Sequence, residues 1–155
     1  MTLTSVFVAL NVILSSIITF PIGIIRAAPM QHLINVLGAV MTGPWVIVQA
    51  FISSTLRVLT GTGTVFAFPG SMIGTLAAWL LYKFTKKLPL AALGEVLGTG
   101  IIGALSLYPL IRILNLDTNI FTAVAAAFFL SSLIGSAVSY FILKQLEKRG
   151  ALLRI

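Results

Sequence analysis

Long apolar runs, separated by a few polar or proline-containing points, form the pattern of this chain. They cover about residues 3–25, 31–59, 66–82, 90–113 and 120–143. Strand-like alternation persists over none of them, and a helix satisfies its own backbone hydrogen bonds in lipid. A spanning helix needs roughly 20 apolar residues. The pattern therefore predicts an all-α bundle of membrane-spanning helices, with residues 1–155 forming a single integral membrane domain.

The number of spans depends on Gly43-Pro44, which interrupts the second run. Proline removes a backbone donor and clashes with the preceding turn of a helix. The run is therefore either one kinked helix, which gives five spans, or a tight hairpin of two shorter helices, which gives six. The residues alone leave both possibilities open.

Basic residues give an orientation, because they concentrate in cytoplasmic loops. With six spans, seven of them fall on the cytoplasmic side: Lys83, Lys86, Lys87, Lys144, Lys148, Arg149 and Arg154. Arg26, Arg57 and Arg112 then face outward, and with five spans only Arg26 changes sides. Both layouts predict that Arg57 and the glycine-rich loop behind it face outward.

Composition excludes a soluble protein. Hydrophobic residues make up 59% of the chain and charged residues 8%, whereas soluble domains are roughly 25% charged. The net charge of +7 is accounted for by cytoplasmic loops rather than by nucleic acid. The first charge is Arg26, so residues 1–20 lack the basic start of a signal peptide and are expected to be a retained first span.

Small residues recur every four positions on several helices. The rows are Gly70, Gly74 and Ala78; Gly94 and Gly98; Ser131, Gly135 and Ser139; and Ser5 and Ala9. Such rows allow helix backbones to approach closely in lipid. Packing within the bundle is the expected role of the first three, and the Ser5/Ala9 row is the candidate surface for docking a partner subunit.

Two polar clusters suggest a ligand site. Gln31, His32 and Asn35 lie within the first turns of the second run, where they are either a solvated helix end or part of a site. The second cluster follows Arg57 and consists of a loop, residues 60–64, that alternates Thr and Gly, with Phe66 and Phe68 behind it. Hydroxyls, amides and ring faces suit a small polar heteroaromatic ligand, although an ordinary flexible loop is an equal alternative.

Glu95 is the only acidic residue within an apolar run. An intramembrane carboxylate is a candidate functional group. Its closeness to Lys86 and Lys87 favours pairing or snorkelling near the inner surface, so a Glu95→Gln change is expected to leave binding intact. One histidine, three acids and no cysteine give neither a metal site nor a catalytic constellation. The chain is predicted not to be an enzyme.

Four segments resemble a known family. They are Pro29-Met30-Gln31-His32-Leu33-Ile34-Asn35-Val36, Gly43-Pro44-Trp45, residues 57–64, and Ala67-Phe68-Pro69-Gly70-Ser71-Met72-Ile73-Gly74. The sequence resembles the ThiW-type thiazole-uptake proteins, which are substrate-binding S-components of energy-coupling factor (ECF) transporters. The likeness is close over about residues 29–82 and extends to the whole chain in length and hydropathy.

The resemblance implies six helices, a hairpin at Gly43-Pro44 and both termini on the cytoplasmic side of the cell membrane. It implies outward-facing capture of a thiamine precursor, hydroxyethylthiazole. It also implies a transmembrane coupling subunit and two ATPase subunits that hydrolyse ATP, with no cofactor in this chain. The family often has an Ala-x-x-x-Ala docking row on its first helix, and Ser5 and Ala9 stand at that spacing here.

Combined with the two polar clusters, this predicts a binding site formed by Gln31, His32, Asn35, Arg57, Thr62, Gly63, Phe66 and Phe68. Phe66 or Phe68 stacks on the ring, while His32, Asn35 and Thr62 bond its nitrogen and hydroxyl. Arg57 is expected to fix the loop rather than to meet an uncharged ligand. The alternatives are an S-component for another vitamin, a self-sufficient secondary transporter and a membrane scaffold without a pocket.

Overall fold

The computed structural model describes residues 2–22, 25–113, 115 and 117–152, which form a helical bundle with one short hairpin. The six helices are α1 (Thr2–Ile17), α2 (Pro29–Met41), α3 (Trp45–Leu59), α4 (Ala67–Thr85), α5 (Leu88–Ile113) and α6 (Thr118–Lys148). Two strands, β1 (Phe20–Ile22) and β2 (Ile25–Ala27), lie between α1 and α2. The all-α prediction is confirmed apart from this hairpin.

The hairpin corrects the prediction of a first helix that reaches about residue 25. Helix α1 ends at Ile17, and β1 pairs antiparallel with β2, so that Phe20 lies opposite Ala27. Pro21 lies within β1 and cannot continue a helix. The β-branched residues Ile17, Ile18 and Thr19 before it also favour extended backbone over helix. The apolar run therefore contains two kinds of element.

Gly43-Pro44 forms a tight turn between two helices. Helix α2 ends at Met41, and α3 begins at Trp45. Gly43 has a φ of +60°, which is a left-handed conformation that glycine adopts without a steric penalty. The second apolar run is thus two helices, as the hairpin interpretation predicted.

Helix α5 contains an irregular segment. It is α-helical over Leu88–Leu97, π-helical over Gly98–Gly103, and helical again over Ala104–Ser106 and Tyr108–Ile113. A Cβ on Gly98 would lie 2.8 Å from the Gly74 Cα, and a Cβ on Gly103 would lie 2.7 Å from the Gly70 Cα. The glycine rows therefore permit the close packing of α4 against α5, as predicted.

Among the described residues, two helices are long and apolar enough to cross a membrane. They are Leu88–Ile113 and Asn119–Lys148, while Leu3–Ile17 and Trp45–Leu59 are shorter apolar helices. By length and composition alone, the bundle therefore has two clear spans, and six spans stay a prediction.

Two buried apolar clusters occupy opposite ends of the bundle. One includes Tyr82, Leu88 and Leu143 and lies near the lysine-containing end of α4. The other includes Leu107 and Val124 and packs against the β-hairpin. Between them, α5 carries two buried polar residues, and these belong to the site described next.

Candidate ligand cavity

A cavity of about 220 Å³ lies at the hairpin end of the bundle. Residues of β2, the start of α2, the end of α3 and the loop after it, the start of α4, and the middle of α5 and α6 form its walls. The fold therefore brings segments from most of the chain to one small cavity.

Arg57 forms one wall, although only 3% of it is exposed. Its Nη1 donates a hydrogen bond to Oε1 of Gln31, and its Nη2 donates to the Thr62 carbonyl at 3.2 Å. The backbone N–H groups of Thr62 and Gly63 both donate to the Arg57 carbonyl at 2.9 Å. Arg57 thus fixes the loop after α3 through its backbone and its side chain, as predicted.

Glu95 lies beneath the opposite wall, in the fully buried interior. Its Oε1 accepts hydrogen bonds from His32 Nδ1 at 2.8 Å, Asn35 Nδ2 at 3.0 Å and Thr99 Oγ1 at 3.1 Å. The expectation that Glu95 pairs with Lys86 or Lys87 is wrong. Seven residues of helix place it roughly 10 Å from Leu88 along α5, and its face of the helix meets α2 instead of the surface.

The polar network continues from Glu95 into neighbouring helices. Asn11 of α1 donates to Asn35 Oδ1 at 3.4 Å and accepts from Ser15 at 3.0 Å. His32 Nε2 lies 3.2 Å from Ser131 Oγ on α6. These bonds join α1, α2, α5 and α6, so the position of His32 in the cavity wall depends on four helices. Polar groups can be buried in an apolar interior at little cost when they are hydrogen-bonded in this way.

Of the eight residues predicted for the ligand site, five line the cavity: Gln31, His32, Arg57, Thr62 and Gly63. Asn35 lies one layer deeper, beside Glu95. The two predicted stacking residues are not among the lining residues. Phe66 packs against the apolar cluster near the hairpin, and the Phe68 ring meets Phe51 edge-on at 5.9 Å. Direct ligand contact stays a prediction for all eight.

Several lining residues escaped the sequence analysis, including Phe128, Ser131, Thr99 and Arg26. Phe128 supplies the aromatic surface that was assigned to Phe66 or Phe68. A Cβ on Gly70 would collide with the Phe128 ring, so the Gly70 of the small-residue row also makes room for this side chain. Phe128 and Ser131 are three residues apart and therefore lie on one face of α6. This spacing was the feature of the sequence that could have indicated a shared role in the cavity wall.

The candidate docking residues lie elsewhere. Ser5 and Ala9 are exposed on α1, next to the exposed apolar side chains of Val6, Ile13 and Ile17. No α1 residue lines the cavity among the described residues, although Ser16 at the other end of α1 donates a hydrogen bond to Thr62 of the cavity wall. A role for the face with Ser5 and Ala9 in docking stays a prediction.

The cavity is lined by groups that can bind a small polar molecule. It offers guanidinium donors, hydroxyl groups, an imidazole and one aromatic ring, and in the described part of the chain no three metal-ligating side chains come together. An apolar helical bundle with a partly polar cavity near one end is typical of membrane proteins that bind small solutes.

The comparison with protein families agrees with this class. The family described as thiamine-precursor transporter protein (ThiW) matches residues 1–149, and the chain belongs to that family. It is a family of membrane transporters, not of enzymes, which implies a small-molecule substrate. No curated protein and no solved structure gives a significant match to the chain.

Proposed function

We propose that this protein is the substrate-capturing S subunit of an ECF-type uptake transporter and that it binds hydroxyethylthiazole in the cavity beside Arg57 and His32. The cavity is the observation that carries the proposal. Its polar groups can bond a ring nitrogen and a hydroxyl, and Phe128 offers a ring face for stacking. ATP hydrolysis and membrane translocation belong to the coupling subunit and the two ATPases.

Cavity size favours a single-ring ligand. Pockets for drug-sized ligands measure roughly 300–1,000 Å³, whereas this cavity measures about 220 Å³. A thiazole with one short arm suits that volume better than thiamine, in which a pyrimidine and a thiazole are linked. The volume therefore supports a precursor rather than the complete vitamin.

The direction of capture rests on charge. Lys83, Lys86, Lys87, Lys144 and Lys148 fall at the helix ends opposite the cavity. By the positive-inside tendency, that end is cytoplasmic, the cavity opens outward and both termini are cytoplasmic. This is the six-span layout of a multi-pass cell-membrane protein. Reporter fusions at the two termini test it, and an external N-terminus would overturn it.

Calorimetry on the purified full chain tests the ligand assignment. Hydroxyethylthiazole should bind, whereas the pyrimidine precursor, thiamine and unrelated vitamins should bind much more weakly or not at all. Asn35→Ala and His32→Ala should each weaken thiazole binding about tenfold, because a lost buried hydrogen bond costs on the order of 1 kcal/mol or more. Selective binding of another vitamin would overturn the thiazole assignment and leave the S-subunit role intact.

One observation favours a second candidate, a self-sufficient secondary transporter. Such proteins use titratable groups deep in the membrane. His32 and Glu95 form a buried pair of such groups. Vesicles containing only this chain separate the two functions. We expect ligand binding without accumulation, whereas uptake driven by a proton or sodium gradient would establish the second candidate.

Docking to the coupling subunit is assigned to α1. Ser5 and Ala9 are small and exposed there, which would allow a partner helix to approach closely. Ala9→Trp should weaken co-purification with the coupling subunit and leave thiazole affinity unchanged. Asn119→Trp, on the exposed start of α6, is the matched control. Complex formation that survives Ala9→Trp would show that docking uses another surface.

A further inference from the structure

Arg57 is a buried cation for which the described chain supplies no counter-charge. The sequence has three acidic side chains. Glu95 accepts from His32, Asp117 caps the start of α6 by accepting from the Asn119 N–H, and Glu147 lies beside Lys86 and Lys144 at the other end. Arg57 donates only to neutral oxygens, those of Gln31 and Thr62.

A guanidinium stays charged in a protein, and a buried charge that is not compensated is costly. Arg57 nevertheless has 3% of its surface exposed, and its Nε has no hydrogen-bond partner among the described residues. Holding the loop after α3 in place does not require a charged side chain, because a neutral amide could also donate a hydrogen bond to a carbonyl. The buried charge thus calls for an anion other than those of the described residues.

A second cation lines the cavity. It is Arg26, and no acidic side chain is among the lining residues. The Glu95 carboxylate lies one layer behind the wall, where it is bonded to His32 and Thr99. Two helices begin at the cavity: Ala28 is the N-cap of α2, Ala67 is the first residue of α4, and neither N-terminus has a side-chain cap. The helix dipole at such ends favours negative charge.

We propose that this cavity also takes thiazoles whose arm ends in an anionic group, a carboxylate or a phosphate monoester, and binds them more tightly than the neutral alcohol because the anion pairs with Arg57. The inference rests on the proposed function and extends its ligand class from hydroxyethylthiazole to thiazoles with an acidic arm. The ring lies against Phe128, and the acidic arm reaches the Arg57 side. Arginine is well suited to this role, since its planar fork matches both anions.

Calorimetry with three thiazoles that differ only in the arm tests this proposal. The probes are hydroxyethylthiazole, its phosphate monoester and the analogue whose arm ends in a carboxylate. At least one anionic probe should bind about tenfold or more tightly than the alcohol, because charge-assisted bonds exceed neutral ones by that margin. Equal or tighter binding of the neutral alcohol would overturn the proposal.

Arg57→Gln distinguishes pairing from loop fixation. If Arg57 meets the anion, Arg57→Gln should abolish the preference for the anionic probe, and Arg57→Lys should retain part of it. If Arg57 only holds the loop, Arg57→Gln should weaken all probes equally, which contradicts the proposal. Arg112→Gln is the matched control, because Arg112 is exposed and stacks on Tyr108 away from the cavity. This variant should keep the full preference.

Inorganic phosphate separates failure of this inference from failure of the proposed function. If no thiazole binds in any charge state, the thiazole function is wrong. Phosphate that raises the melting temperature of the wild type but not of Arg57→Gln would then still support an anion subsite. No Arg57-dependent effect of phosphate in that case would overturn the subsite as well.

Discussion

The two ends of the bundle both contain a cavity lined by cations, but only the hairpin end has a buried one. At the hairpin end, Arg57 is buried in the wall of the cavity of about 220 Å³. At the other end, a cavity of about 270 Å³ is lined by Lys86, Lys87 and Lys144, which are exposed.

The difference is one of solvation. Exposed lysines keep their hydration, and salt screens them within roughly 8–10 Å. Water and salt therefore balance much of their charge. A buried guanidinium has lost most of its water, so its charge needs nearby dipoles or an anion. Similar residue types thus form a solvated charged surface at one end and a candidate binding site at the other.

Removal of a buried acid should have the largest effect and should sharpen the contrast between the two ends. Glu95→Ala leaves His32 Nδ1 without its acceptor and removes one of two acceptors from Asn35 Nδ2 and Thr99 Oγ1, which keep Ser71 Oγ and the Gly70 carbonyl. An unpaired buried polar group costs about 1–3 kcal/mol, so the melting temperature should fall and thiazole binding should weaken about tenfold or more. Thermal melting and calorimetry measure these two effects.

Glu147→Ala is the control at the lysine end, where exposed ion pairs contribute little, and both measurements should stay near the wild type. Glu95→Gln, which the sequence alone predicts to be silent, is now expected to lower both values by less than Glu95→Ala does, because the amide oxygen can still accept. If Glu95→Ala melts and binds as the wild type does, the buried network does not support the cavity.

An aromatic substitution should have an intermediate effect. Phe128→Leu keeps most of the apolar volume in the cavity wall and removes the ring, so thiazole affinity should fall about tenfold at nearly unchanged melting temperature. Tyr140→Leu changes the aromatic residue of the lysine-end cavity and should not affect binding. Phe68→Leu is the second comparison. A larger loss of thiazole affinity in this variant than in Phe128→Leu would show that Phe68, at the start of α4, stacks on the ligand.

Neutralisation of exposed charge should have the smallest effect. The double substitution Lys86→Gln and Lys87→Gln should change thiazole affinity by less than about twofold, because these charges are solvated and remote from the cavity. Titration of the purified variant measures this. A strong loss of affinity would break the comparison, since it would mean that the lysine end also contributes to ligand capture.

Much of the fold followed from local chemistry that the sequence displays directly. Apolar length predicted the helices, Gly43 and Pro44 marked the break between α2 and α3, and the glycine rows predicted close packing within the bundle, which the structure shows between α4 and α5. The loop after α3 was identified because Thr and Gly alternate there and Arg57 precedes them. The β-hairpin was missed because its residues are as apolar as the helix before it.

The sequence by itself determined the helical bundle, the family and five of the cavity-lining residues, because periodicity, composition and clustered polar residues are properties of short segments. The tertiary structure alone decided that Glu95 meets His32 and Asn35, which are more than 50 residues away along the chain, and that Phe128 rather than Phe68 lines the cavity. Such pairings depend on which helix faces pack together, and the packing is governed by glycines and side chains distributed over the whole bundle.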